Sequence, residues 1–161
     1  MTFKSKQSLT SATTGLAILA SYAIHTLRIQ PHSEMDLRAW AATMLVFIGI
    51  GIAAQILVQI LFHIFASIGI AVKEQKRDAK EVERIIASTI MEDEMDKLIA
   101  LKANRIGYAI VGIGFTTMLI GLALGASTVV SLHVLFASAA LGSVADGIAS
   151  VFFYEGGVRN G

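Results

Sequence analysis

An aspartate stands where a membrane-spanning stretch would least tolerate one. Asp146 lies inside the apolar run Val129–Tyr154, eight residues before Tyr154 and so about 12 Å from that end at helical rise. A charge at hydrocarbon depth costs at least ~2.5–3.5 kcal/mol on insertion scales, so an intramembrane carboxylate is a functional candidate by default. Two readings stand. Asp146 binds a proton or cation, or it hydrogen-bonds a neighbouring helix and specifies packing. Gln55 and Gln59 are its expected partners, since they fall at comparable depth in another apolar run. Ser143 and Ser150 share its helical face and complete a polar intramembrane site.

Small residues surround this aspartate. Ser138, Gly142, Asp146 and Ser150 repeat every four residues, with Gly147 beside them, and Gly121 with Gly125 forms a GxxxG in the preceding run. Such spacing lets backbones approach closely, so Gly121, Gly125, Gly142 and Gly147 are expected at helix–helix contacts. Other chemistry is poorly represented. His25, His32, His63 and His133 do not pair at ligand spacing, and Glu92, Asp93, Glu94 and Asp96 lack the spacing and turn glycine of a calcium loop. Without a nucleophile–base pair, metal motif or cofactor fingerprint, the chain reads as non-enzymatic, with no metal and no cofactor.

The elements that position these residues follow from how charge is distributed. The chain has 161 residues, of which 55% are hydrophobic and 16% charged, against roughly 25% charged in a soluble domain. Sixteen of the 25 Lys, Arg, Asp and Glu residues lie between Lys73 and Arg105. A hydrocarbon core of ~30 Å needs about 20 helical residues; the first apolar run, Thr14–Leu27, is short and reaches that length only if Ser8–Thr13 enter the interface. The expected fold is all-α and polytopic: a single membrane domain with spans near 10–28, 39–64, 106–124 and 129–154, and a helical insertion over 73–105. Trp40 reads as an interfacial anchor, and Gly125–Thr128 as a tight turn. Ser33, with Asp36, and Thr89, with Glu92, read as helix caps.

Lysine and arginine counts set the orientation. The 73–105 segment carries eight, the N-terminal stretch and the 28–38 loop two each, and the 125–128 turn none. The positive-inside rule then places both termini and the insertion in the cytoplasm, with the chain in the cytoplasmic (inner) membrane. A formal net charge of +1 gives no electrostatic case for nucleic acid. Within the insertion Val82, Ile86, Ile90, Met95 and Leu98 form an amphipathic stripe. It packs on the spans, lies on the membrane surface or binds a partner helix. A faint duplication sets Gly15 against Gly107 and Gly51, Gln55 and Phe62 against Gly142, Asp146 and Phe153. It predicts two like-oriented hairpins packed about an axis along the membrane normal.

The segment Glu92–Gly114 (EDEMDKLIALKANRIGYAIVGIG) resembles part of an uncharacterised family of small four-span prokaryotic membrane proteins. In that family an acidic D-E-R-D-like motif precedes a basic, alanine-rich stretch and then a span. Asp93, Glu94, Met95 and Asp96 match the first element, with Met95 in place of the usual basic residue, and Lys102, Ala103, Asn104 and Arg105 match the second. The resemblance implies four spans and no particular activity. Because some members of such families are encoded beside small helix-turn-helix regulators, it also implies a cytoplasmic protein partner that reads the cytoplasmic helix. The expected function is therefore a non-enzymatic membrane protein acting through protein contacts, as a regulator, immunity-type factor or complex subunit. The alternative is a small oligomeric transporter or channel using Asp146 as its proton or cation site. The expected partners are the lipid bilayer, a second copy or another membrane subunit, and a cytoplasmic protein.

Overall fold

A computed structural model describes residues 1–29, 36–73 and 93–156. The described residues form four helices and no strand: α1 (Phe3–Ile29), α2 (Leu37–Lys73), α3 (Glu94–Ala123) and α4 (Thr128–Gly156). Three of them, α2, α3 and α4, are long and apolar enough to cross a membrane. Their outward faces carry Leu45, Phe65, Leu101, Ile113 and Phe152, each more than 60% exposed. Patches of that size suit lipid rather than water.

Local chemistry explains where the helices stop. Asp93 caps α3: the Asp96 N–H donates to Asp93 Oδ1 at 2.7 Å, and the Asp93 N–H to Asp96 Oδ2 at 3.2 Å. This reciprocal box satisfies two otherwise unpaired donors and places two more acidic groups, Glu94 and Asp96, at the positive end of the helix dipole. At the other end of α3, Gly125 adopts φ +88, and the Ala126 N–H bonds back to the Gly121 carbonyl at 2.9 Å. That left-handed turn is the glycine C-cap geometry, which a side chain would strain. Ser127 then starts α4, its Oγ accepting from the Val130 N–H at 3.3 Å. Replacing Asp93 with Ala is expected to cost about 1 kcal/mol, the usual cost of losing an N-cap. Hydrogen exchange should quicken at the amides of residues 94–97 and stay unchanged in α4.

Several boundaries differ from the sequence reading. Ser33, and Thr89 with Glu92, lie outside the described residues, as do Val82, Ile86 and Ile90 of the amphipathic stripe. The helix expected to begin at Ile106 begins at Glu94 and runs through Lys102–Arg105 without a break, because nothing in that stretch interrupts helical hydrogen bonding. Within the chain, Gly121 and Gly125 meet no other described helix. The positive φ at Gly125 ends the helix before the second glycine, and Gly121 faces only the Ala126 methyl of the same turn.

α4 is the hub of the bundle. It packs along its length on α3 and α1 and only lightly on α2, whose main neighbour is α1. The closest approaches are at small residues. A Cβ on Gly107 would sit 2.8 Å from the Gly142 carbonyl oxygen, and one on Gly142 would sit 2.8 Å from the Gly107 carbonyl oxygen. Gly114 is pressed against Ser138, and a Cβ on Gly147 would lie 2.8 Å from that of Ala12. In lipid, where apolar burial gives helices little reason to associate, such close packing is what holds them. The duplicated-hairpin expectation fails on this pattern. A two-fold axis would set α2 on α3 as α4 lies on α1, whereas α2 and α3 have no comparable contact.

The two ends of the bundle are held differently. At one end Tyr22 packs on Phe136 (ring centroids 4.2 Å apart) and Phe47 (5.2 Å), while Trp40 meets His133 edge-on at 4.7 Å. Trp40 is only 3% exposed, so it is a packing residue between helices rather than the interfacial anchor its position suggested. At the other end Phe3 packs on Phe62 at 5.1 Å, and the Thr2 N–H donates to Glu155 Oε1 at 3.1 Å.

Candidate functional site

Asp146 faces a polar pocket of about 200 Å³ at the end of the bundle where α1 and α3 begin and α2 and α4 finish. α1 contributes Lys4, Gln7, Ser8 and Ser11, spaced so that one helical face lines the cavity. α2 contributes Gln59 and α3 contributes Asp96. α4 supplies Asp146, Gly147, Ser150 and Tyr154. Lys4 Nζ lies 3.7 Å from Asp96 Oδ2, with both side chains largely covered. The described lining thus holds the Lys4 ammonium and two carboxylates, a formal charge of −1. An effective dielectric below that of water makes this imbalance weigh more than it would on an open surface.

The glutamines expected to pair with Asp146 instead hydrogen-bond to α1. Gln55 Nε2 donates to Ser11 Oγ, and Gln7 Nε2 donates to Gln59 Oε1 at 2.7 Å while also facing His63 Nε2 at 3.2 Å. These bonds fasten α2 to α1, each worth about 0.6 to 2 kcal/mol within a membrane. Gln59 still shares the pocket with Asp146, whereas Gln55 turns its other side to a second cavity.

That second cavity is an apolar cleft of about 630 Å³ between α1, α2 and α4. It runs along α4 from Leu132 to Ser143 and along α2 from Met44 to Ile56, with Gly15 and Ile18 closing it from α1. Ser143 therefore faces the cleft and Ser150 the pocket. Cleft and pocket occupy successive stretches of the same faces of the same three helices. They meet at the Ser11–Gln55 hydrogen bond, since Ser11 lines one and Gln55 the other.

Of the packing glycines named from sequence, Gly142 and Gly147 sit at close helix crossings, and Gly147 also borders the pocket. Of the amphipathic stripe, Met95 is exposed and Leu98 half-buried, while its neighbour Ile99 is 2% exposed. The residues that sequence reasoning missed are Lys4, Gln7, Ser11 and Asp96. Their signal was present: Lys4, Gln7 or Ser8, and Ser11 recur at helical spacing, marking a polar face on α1. Among the described residues there is no group of three or more His, Cys, Asp or Glu side chains placed to hold a metal ion.

The fold and its exposed apolar faces define the class: an all-helical bundle with three helices suited to a membrane. Within that class no protein-family model, curated protein or solved structure matches the chain.

Proposed function

We propose that the chain is a four-span, non-enzymatic protein of the cytoplasmic membrane that binds a proton or small cation at Asp146 and moves it as an oligomer. The observation that carries this reading is the polar pocket, which Asp146 lines together with Asp96, Gln59, Ser11 and Lys4. A carboxylate kept only to glue helices would have its hydrogen-bonding partners on the facing helix; here Gln55 and Gln59 bond to α1.

α1 serves as the fourth span. Its Ser and Thr residues depress its hydropathy, yet several of their hydroxyls bond within the helix: Thr10 donates to the Lys6 carbonyl at 2.8 Å, Thr14 to Thr10 at 2.8 Å and Ser21 to Ala17 at 2.8 Å. Donors closed in this way do not need water, which is the condition for a helix to enter lipid. The positive-inside rule puts the pocket end toward the cytoplasm, beside the lysine- and arginine-rich 73–105 segment. The likeness of Glu92–Gly114 to a family of four-span membrane proteins supports the same topology. Four helices enclose little space, so a second copy would complete a pathway.

Proton and sodium flux into liposomes tests the reading. Wild-type protein should carry one of these ions, and Asp146→Asn should fall to the protein-free rate while Asp146→Glu keeps part of the flux. Equal background traces for wild type and Asp146→Asn remove transport, and equal traces above background remove Asp146 from it.

A second reading keeps a protein partner. It rests on Met95, about half exposed at the start of α3, an apolar side chain next to the acidic cap. Purification in mild detergent at native expression should recover a specific companion whose yield falls in Met95→Glu. Recovery of the protein alone counts against it.

A further inference from the structure

We propose that the polar pocket and the apolar cleft form one site for a cationic amphiphile, an ammonium head group on an apolar body about one leaflet long. The inference deepens the reading of Asp146 given above and rests on it. Three observations point to this ligand chemistry. First, the two cavities are consecutive on common helix faces and lie on either side of the Ser11–Gln55 hydrogen bond, so one elongated molecule that passes this bond reaches both. Second, the polarity is divided sharply. Carboxylates, amides and hydroxyls line the pocket, whereas the cleft is walled by residues such as Met44, Phe47, Ile52, Leu135 and Phe136. Third, the pocket's formal charge favours a cationic head: Asp96 has Lys4, and Asp146 adds a second carboxylate.

The cleft is as long as an extended apolar chain. Leu132 to Ser143 spans eleven residues of helix, about 16 Å. Half of a ~30 Å hydrocarbon core is about 15 Å. With its head at Asp146, the body would run from mid-span toward the opposite end of the bundle, where Trp40 packs on His133. An apolar molecule with an anionic head meets the wrong charge, and a small inorganic cation leaves the cleft unused.

The protein carries its own reporter. Trp40 is the only tryptophan and lies one helical turn before Met44, at the cleft end remote from Asp146. In phosphatidylcholine nanodiscs, an alkyltrimethylammonium brominated at its chain terminus should quench Trp40 saturably, above the linear background of probe dissolved in lipid. Asp146→Asn should raise the apparent Kd at least about tenfold, as expected when a charge partner is removed from a partly buried pair. Asp146→Glu should recover much of the affinity and shows that the site survives substitution. Gly51→Leu, at a position where a Cβ meets only Ile18 at 3.7 Å, should fill the cleft and abolish saturable quenching. Quenching that is linear and equal in wild type and both variants overturns the proposal. Saturable quenching lost in Gly51→Leu but unchanged in Asp146→Asn also overturns it, because the cleft would then hold any acyl chain. Asp146-dependent ion flux without saturable quenching defeats this inference and leaves the reading of Asp146 standing; absence of both defeats the two together.

Discussion

Gly142→Val is expected to destabilise the bundle by more than about 3 kcal/mol, beyond the usual 1–3 kcal/mol for overpacking a core. The reason lies in what the new side chain would strike. A Cβ at position 142 sits 2.8 Å from the Gly107 carbonyl oxygen and 2.9 Å from Val111 Cγ2, and the reciprocal Cβ at 107 strikes the Gly142 carbonyl at 2.8 Å. Val111 can change rotamer, but a backbone carbonyl within a helix cannot move without its turn. α3 and α4 must separate, and the Gly114–Ser138 contact two turns away separates with them. Since lipid replaces protein with little loss of hydrophobic free energy, nothing offsets the lost contact. Gly142→Ala should show the same effect at about 2 kcal/mol. Gly112→Ala is the control. Nothing lies within 4 Å of a Cβ there, so it should be neutral or stabilise by about 0.5–1 kcal/mol through lower chain entropy. Unfolding in mixed micelles, followed by circular dichroism, separates these outcomes. Gly142→Val unfolding together with Gly112→Ala would mean that the two backbones are not in contact.

This contact also shows what the sequence could not disclose. The apolar runs were legible because their length and freedom from charge are dictated by the bilayer; α2 and α4 coincide with two of them, and α3 takes in a third but starts twelve residues before it. Rotation of each helix about its axis was not. Gln55 and Gln59 were assigned to Asp146 on depth alone, which residue counting supplies. Their facing direction depends on α1, where Ser11 and Gln7 intervene. A solitary glycine such as Gly107 leaves no periodic trace among apolar neighbours, whereas Gly121 and Gly125 had the right spacing and the wrong backbone. The α3 cap was recoverable, since the three-residue spacing from Asp93 to Asp96 fits a capping box with an aspartate in the glutamate's place; Thr89 with Glu92 offers the more usual residue types. The candidate site was half visible. Asp146 was conspicuous as the one charge within a run, but the pocket exists only because α1 and α3 both begin beside it, and one sequence contains no measure of that proximity.

Trp40→Ala is expected to cost about 2–4 kcal/mol, whereas Trp40→Phe should cost less than half as much. Large-to-small changes of an aromatic in a water-soluble core cost about 3–5 kcal/mol, of which one part is transfer from water and another is the cavity left behind. In a bilayer the transfer part shrinks, because lipid is itself apolar, and the cavity part remains. Phenylalanine fills most of that cavity. An interfacial anchor behaves otherwise: it depends on the indole's polar edge at the head groups, so Phe would be nearly as poor as Ala. The structure commits to packing, with Trp40 3% exposed and its ring at 71° to His133. A double-mutant cycle with His133→Ala should therefore show a coupling of about 0.5–1.5 kcal/mol, the range of aromatic pairs. Additive single mutants, or a Phe variant no better than Ala, would return Trp40 to the head groups. The consequence would reach the cleft, because this aromatic end is where α2 is held to α4, beyond the hydrogen bonds that tie it to α1.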